Sequence, residues 1–292
     1  MKSVMLANHI IKYPVTVLKV VIPFLLSISP YVIAHNDLTH RIHSLNHQLN
    51  QHPHNQHNIH LLVQSGKLKY KNKQYHAALH DLQQVLQLET EHSDALYYAA
   101  QANFHLNNYQ SAEQQILRFY QQAKNPAGKI KANRLLGDIH LAEHAISEAV
   151  SFYQTALNLQ QQPQPNDFLH AAITAQKLPD QGQQLALTIL HQGINTLGTI
   201  SSLADPAIKL HLALQQYNHA IQLTDTLLKN AAGLRKALLL EKKMVIYQQL
   251  QQTSQVKHTI LLALAAIKSL SHHKQQSRQV QALVARLTSS YF

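Results

Sequence analysis

Residues 74–79 read Gln-Tyr-His-Ala-Ala-Leu, and the pattern returns as Asn-Tyr-Gln-Ser-Ala-Glu at 108–113, Ala-Ile-Ser-Glu-Ala-Val at 145–150 and Gln-Tyr-Asn-His-Ala-Ile at 216–221. The fifth place is the fixed point. Ala78, Ala112, Ala149, Ala186 and Ala220 are 34, 37, 37 and 34 residues apart, and Val256 follows 36 later. Twelve residues before these anchors stand Gly66, Ala100 and Gly137, then Thr174, Ile208 and Met244. A period near 34 is that of a helix pair, and small residues at both places let two helices approach closely. Ala112, Ile116 and Phe119 fall at i, i+4 and i+7, one stripe on a helix advancing about 100° per residue. Such a helix buries its stripe only by stacking with neighbours.

These units resemble the tetratricopeptide-repeat family, whose helix–turn–helix unit carries small residues at its eighth and twentieth positions. The resemblance implies an all-α fold: an α-solenoid, wound as a right-handed superhelix, of about six helix pairs with N- and C-terminal capping helices. It further implies a protein-interaction role. The expected organisation is a leader over 1–34, a His-rich cap helix and loop over 35–58, and three well-formed units over 59–163. Three degenerate units follow over 164–270, and a C-terminal cap over 271–292 closes the array. Leu38, Ile42, Leu45 and Leu49 suit the first cap, and Val280, Leu283, Val284 and Leu287 the last.

Composition excludes several classes. The chain has 292 residues, no Cys, no Trp and only 7 Gly. The missing Cys removes disulfide frameworks, thiolate metal sites, thiol nucleophiles and a lipidated cysteine. Few glycines leave little room for phosphate-cradling loops. With 45% hydrophobic and 13% charged residues the chain is expected to fold. Residues 1–34 carry Lys2, Lys12 and Lys19, no acid, and an apolar run from Val20 that ends at Ala34. This reads as a secretory signal peptide cleaved before His35, with an uncleaved signal anchor as the alternative. Either places the body outside the cytoplasm, in the periplasm or at the cell envelope.

By the family's register the first helices present their exposed residues to a partner. These are Lys67, Tyr70 and Lys71 in the first unit, Tyr97, Gln101 and Phe104 in the second, and Lys131 and Arg134 in the third. Cations mixed with aromatics suit a protein or extended peptide of acidic character. The net charge is +11, and after Glu241 seven Lys and Arg occur with no acid, a basic end able to contact a membrane surface. Nucleic acid is not expected, for want of RNA-binding motifs.

Two constellations point to metal. Eight of the 22 histidines lie between His35 and His60. His40, His43 and His47 share one face of a helix, and a cleaved terminus would make His35 a chelating amine–imidazole pair; together they are a candidate Cu, Ni or Zn site. The alternative is polar filler on an exposed helix face, in which case no cofactor is expected. His140-Leu-Ala-Glu143-His144 has the H-x-x-E-H form of an inverted zincin, but the repeat already accounts for these residues. The body is therefore expected to be a non-catalytic scaffold or adaptor, with metal handling as the second reading.

Overall fold

A computed structural model describes residues 30–51 and 58–290. Residues 1–29 of the expected leader lie outside the described residues. Those described form fifteen helices and no strand. They are α1 (Pro30–Gln51), α2 (Asn58–Lys71), α3 (Tyr75–Leu88), α4 (Ser93–His105), α5 (Tyr109–Gln122), α6 (Pro126–Ala142), α7 (Ile146–Asn158) and α8 (Pro165–Ala175). Then come α9 (Gly182–Leu197), α10 (Ser201–Ala213), α11 (Tyr217–Lys229), α12 (Gly233–Gln249), α13 (Thr253–Lys268), α14 (His272–Gln275) and α15 (Arg278–Ser289). Ala34 and His35 both fall within α1. Two compact units divide the chain, Met1–Phe119 and Tyr120–Phe292. No described helix is long and apolar enough to cross a membrane.

The turn inside each pair explains the period. Among the described residues six non-glycines have positive φ: Lys73, Asn107, His144, Gln181, Gln215 and Gln251, at 55–62°. Each stands five residues before an anchor, so the left-handed turn repeats with the alanine spacing. In five of them the next N–H, that of Gln74, Asn108, Ala145, Gln216 or Gln252, donates to the carbonyl of Lys69, Asn103, His140, His211 or Tyr247. That six-to-one bond ends the first helix and reverses the chain.

Past the turn, the anchors are buried at 0% exposure, apart from Val256 at 6%. Small residues upstream matter because of what faces them. A Cβ on Gly66 would meet Leu82 Cγ at 2.6 Å, and one on Gly137 would meet the Tyr153 ring. In the later units Thr174, Ile208 and Met244 fill that position and are buried, so the unit tolerates larger residues there.

In the first unit Leu62, Val63, Leu82, Val85, Ala95 and Ala99 form the core, with Leu49 of α1 packed against it. On α1, Ile42 is buried while His40, His43 and His47 are exposed, in accord with the two faces read from the sequence. The second compact unit has one cluster running from Ala149 to Ile246 and another from Ala237 to Leu287, the latter including Val280 and Leu283 of α15.

Candidate partner-binding face

Within the first compact unit α2 and α4, the first helices of successive pairs, lie in contact. Along α2 the solvent-facing residues are His60, Gln64, Lys67 and Lys71, at i, i+4, i+7 and i+11. The matching places on α4 hold Asp94, Tyr98, Gln101 and His105, each 34 residues on. Lys67 pairs with Asp94 across the two helices and lies 5.3 Å from the centre of the Tyr98 ring. The Tyr70 ring sits 5.7 Å from Tyr75, 5.7 Å from Tyr98 and 5.8 Å from His105. Burial, and then its tyrosine neighbours, push the Tyr70 phenol above its ordinary pKa, so it stays neutral. Beside Lys67 a groove of about 460 Å³ is lined by Ile59, His60, Val63, Gln64, Glu89, His92 and Asp94.

The candidate residues thus fall into two groups. Lys71 stands at the surface, Lys67 and Gln101 are half-buried, and Gln101 donates to the Tyr97 hydroxyl at 3.0 Å. Tyr97 itself leans on Phe119 of the second helix, with ring centres 5.1 Å apart, and Phe104 packs near Tyr109 at 6.0 Å. These two rings serve the contact between paired helices as well as the surface. Tyr98 is the aromatic that faces α2, and the reading by family register passed over it. The repeat spacing could have found it, since Tyr98 lies 34 residues after Gln64.

Lys131 and Arg134 belong to the second compact unit, on α6, and are exposed. Arg134 binds Asp167 Oδ1 at 2.6 Å and Gln160 Oε1 at 3.1 Å. Asp167 also accepts from the Gln164 N–H at 2.8 Å, which fixes the Gln-Pro-rich loop at the start of α8. A smaller cavity of about 280 Å³ lies here, lined by Arg134, Asp138, Tyr153 and His170 among others. The Tyr153 hydroxyl donates to Asp138 at 2.7 Å, and burial together with that carboxylate drives its pKa upward.

The two metal constellations fare differently. His40, His43 and His47 are solvent-facing, and the side chain of His35 is outside the described set. Among the described residues no group of three or more His, Asp and Glu is arranged to hold a metal ion. The zincin-like string fails on backbone grounds. Helix α6 ends at Ala142, Glu143 caps it, and His144 takes φ 62° in the turn. His140 and His144 are therefore not one turn apart on a helix, and His140 stacks on Phe152 at 5.0 Å.

A histidine cluster absent from the sequence reading lies in the second compact unit. His191 Nε2 and His211 Nε2 are 2.9 Å apart, and His211 Nδ1 is 2.8 Å from Gln216 Oε1. Since the amide oxygen can only accept, His211 donates from Nδ1 and accepts at Nε2 from His191. His219 stacks on His211 with centres 5.3 Å apart. Burial lowers the pKa of both His191 and His211.

Comparison with known proteins supports this architecture. A family model described as anaphase-promoting complex, cyclosome, subunit 3 matches residues 38–119, ending where the first compact unit ends. A tetratricopeptide repeat protein from Parabacteroides merdae is 14% identical with a TM-score of 0.50, over 88% of this chain and 94% of that one. The C-terminal part of a TPR repeat-containing protein from Cytophaga hutchinsonii is 11% identical with a TM-score of 0.60, over 87% and 97%. A structure of Naa15/Naa10 bound to HypK-THB matches at 15% identity and a TM-score of 0.56, over 80% of this chain but only 34% of that one. No curated protein sequence matches. At these identities the likeness carries the fold, which is that of tetratricopeptide-repeat proteins.

Proposed function

We propose that the protein is an exported, non-catalytic scaffold or adaptor of the cell envelope that holds a protein partner on its first-helix faces. The observation that carries this reading is the α2–α4 face, where Lys67, Lys71, Tyr98 and Gln101 form one polar and aromatic surface beside a groove of about 460 Å³. Rings held by three neighbours lose little freedom when a partner docks, so contact there costs little entropy. The occupant is an extended segment recognised by hydrogen bonding and ring contact. Negative charge is a secondary preference, because Lys67 and Arg134 already have Asp94 and Asp167 as counter-ions. An acidic partner must displace those carboxylates to gain a pair worth about 1 kcal/mol or less at an exposed site.

The test is capture from an envelope fraction with the wild type, with Gln64→Ala/Lys71→Ala/Gln101→Ala, and with a control exchange on α3 such as Gln87→Ala. A partner lost by the triple variant and kept by the control supports the reading. A partner kept by both, at unchanged folding by circular dichroism, refutes it. Fusion of residues 1–58 to a reporter active only outside the cytoplasm tests export separately.

A further inference from the structure

Helix α13 buries an apolar arc on one side and exposes two leucines among polar and basic residues, Ser254, His258 and the capping Ser269 included, on the other. Its inner arc, Val256, Ile260, Ala263 and Ile267, is at most 6% exposed and belongs to the core shared with α12 and α15. At about 100° per residue, Lys257, Leu261, Leu262, Ala265 and Lys268 fall within an arc of about 140° on the opposite side. All five are exposed, Leu261 at 55% and Leu262 at 43%. Nowhere else among the described residues do two large exposed hydrophobics adjoin in sequence.

Cations flank this apolar step along the chain. Lys257 and Lys268 stand at either end of it, and Lys274 and Arg278 follow, both exposed. From Lys242 to Phe292 the sequence holds no Asp or Glu. Three other cations of this stretch pair with acids from upstream: Lys242 with Asp205, Lys243 with Asp225 and Arg286 with Glu241.

We propose that the outer face of α13, with Lys274 and Arg278, binds an anionic lipid surface. Two leucines enter the boundary between headgroups and acyl chains. The flanking lysines lay their methylene stems along the same boundary and keep their ammonium groups at the phosphates. Cations spread along about 20 residues, rather than converging on one point, match a plane of distributed negative charge better than a single carboxylate.

The experiment is co-sedimentation of the full chain with vesicles of phosphatidylcholine alone and with about 30% phosphatidylglycerol. Binding at least about tenfold tighter to the anionic vesicles, weakened by added salt, is expected. Leu261→Glu/Leu262→Glu should abolish the difference with every cation retained. Because both side chains are exposed, its urea midpoint should match the wild type. The leader is present in both proteins, so the comparison isolates the patch. Equal binding to both vesicle types overturns the proposal, as does unchanged binding by the double variant. Wild-type self-association that the variant loses, with no anionic preference, assigns the patch to a second copy and overturns it too.

Discussion

Gly137→Ala probes a close approach between paired helices in the second compact unit. A Cβ at this position would lie 2.6 Å from Tyr153 Cδ1 and 2.8 Å from Cζ, against an optimum of about 3.5–4.0 Å between carbons. The ring has little room to yield, since its hydroxyl is held by Asp138 at 2.7 Å and its centre lies 4.6 Å from that of the tilted His170 ring. Overpacking of this kind costs about 1–3 kcal/mol. Losing the phenol hydrogen bond adds about 1 kcal/mol, and replacing a helical glycine by alanine offsets about 1 kcal/mol. The net expectation is destabilisation by about 2 kcal/mol. Urea unfolding followed by circular dichroism measures it as a lower midpoint at unchanged slope. Adding Tyr153→Leu, the type that Leu82 provides opposite Gly66, should recover part of the loss. A raised midpoint for Gly137→Ala, as helix propensity alone dictates, would refute the packing argument.

Acid should loosen the His191–His211 contact. Both groups have folded pKa values lowered below the ordinary 6.5 by burial, so the stability they contribute is complete above about pH 6.5. It is lost as pH falls from there toward the lowered folded values. Thermal melts from pH 8 to 5 check this, and His211→Asn, the residue that Asn103 places in the same register, should flatten the profile. Asp81→Ala should cost about 3–5 kcal/mol, because the carboxylate takes Lys69 Nζ and Ser65 Oγ at 2.6 Å each in a buried site. The pair Lys69→Asn/Asp81→Gln should cost clearly less than Asp81→Ala in the same urea titration.

The repeat itself was legible because its signal is redundant. The spacing of 34, 37, 37, 34 and 36 residues appears in the anchors and again in the six left-handed turn residues. Such turns usually select glycine, yet here they carry Lys, Asn, His and Gln, so no local motif marks them. What the sequence hid were choices made between units. Tyr97 and Tyr98 are adjacent and chemically alike, but one meets Phe119 and the other meets Tyr70. A rotation of about 100° separates them, within the uncertainty of any register borrowed from a family. The His140–His144 spacing fits a metal motif only while the helix continues, and the turn at His144 ends it.

One register position shows how a weakly charged sequence fixes its helix pairs. Nine residues before the anchor and three after it, side chains from the two helices meet. In the first pair they are Lys69 and Asp81, an ion pair; in the second Asn103 and Gln115, an amide hydrogen bond at 2.9 Å; in the third His140 and Phe152, a stack at 5.0 Å. Geometry is kept while chemistry changes, so this contact contributes to docking through shape and satisfied polarity more than through charge. In the pair built on Ala220 the second place is Leu223, which offers His211 no hydrogen bond. His211 turns instead to Gln216 in its own pair and to His191 on α9, the second helix of the preceding pair. A bond that elsewhere closes one helix pair here joins two, through a histidine, a group whose charge changes near neutral pH and which here holds hydrogen bonds on both ring nitrogens. Acid sensitivity is therefore expected at the joint between those pairs, while the Lys69 and Asn103 contacts hold.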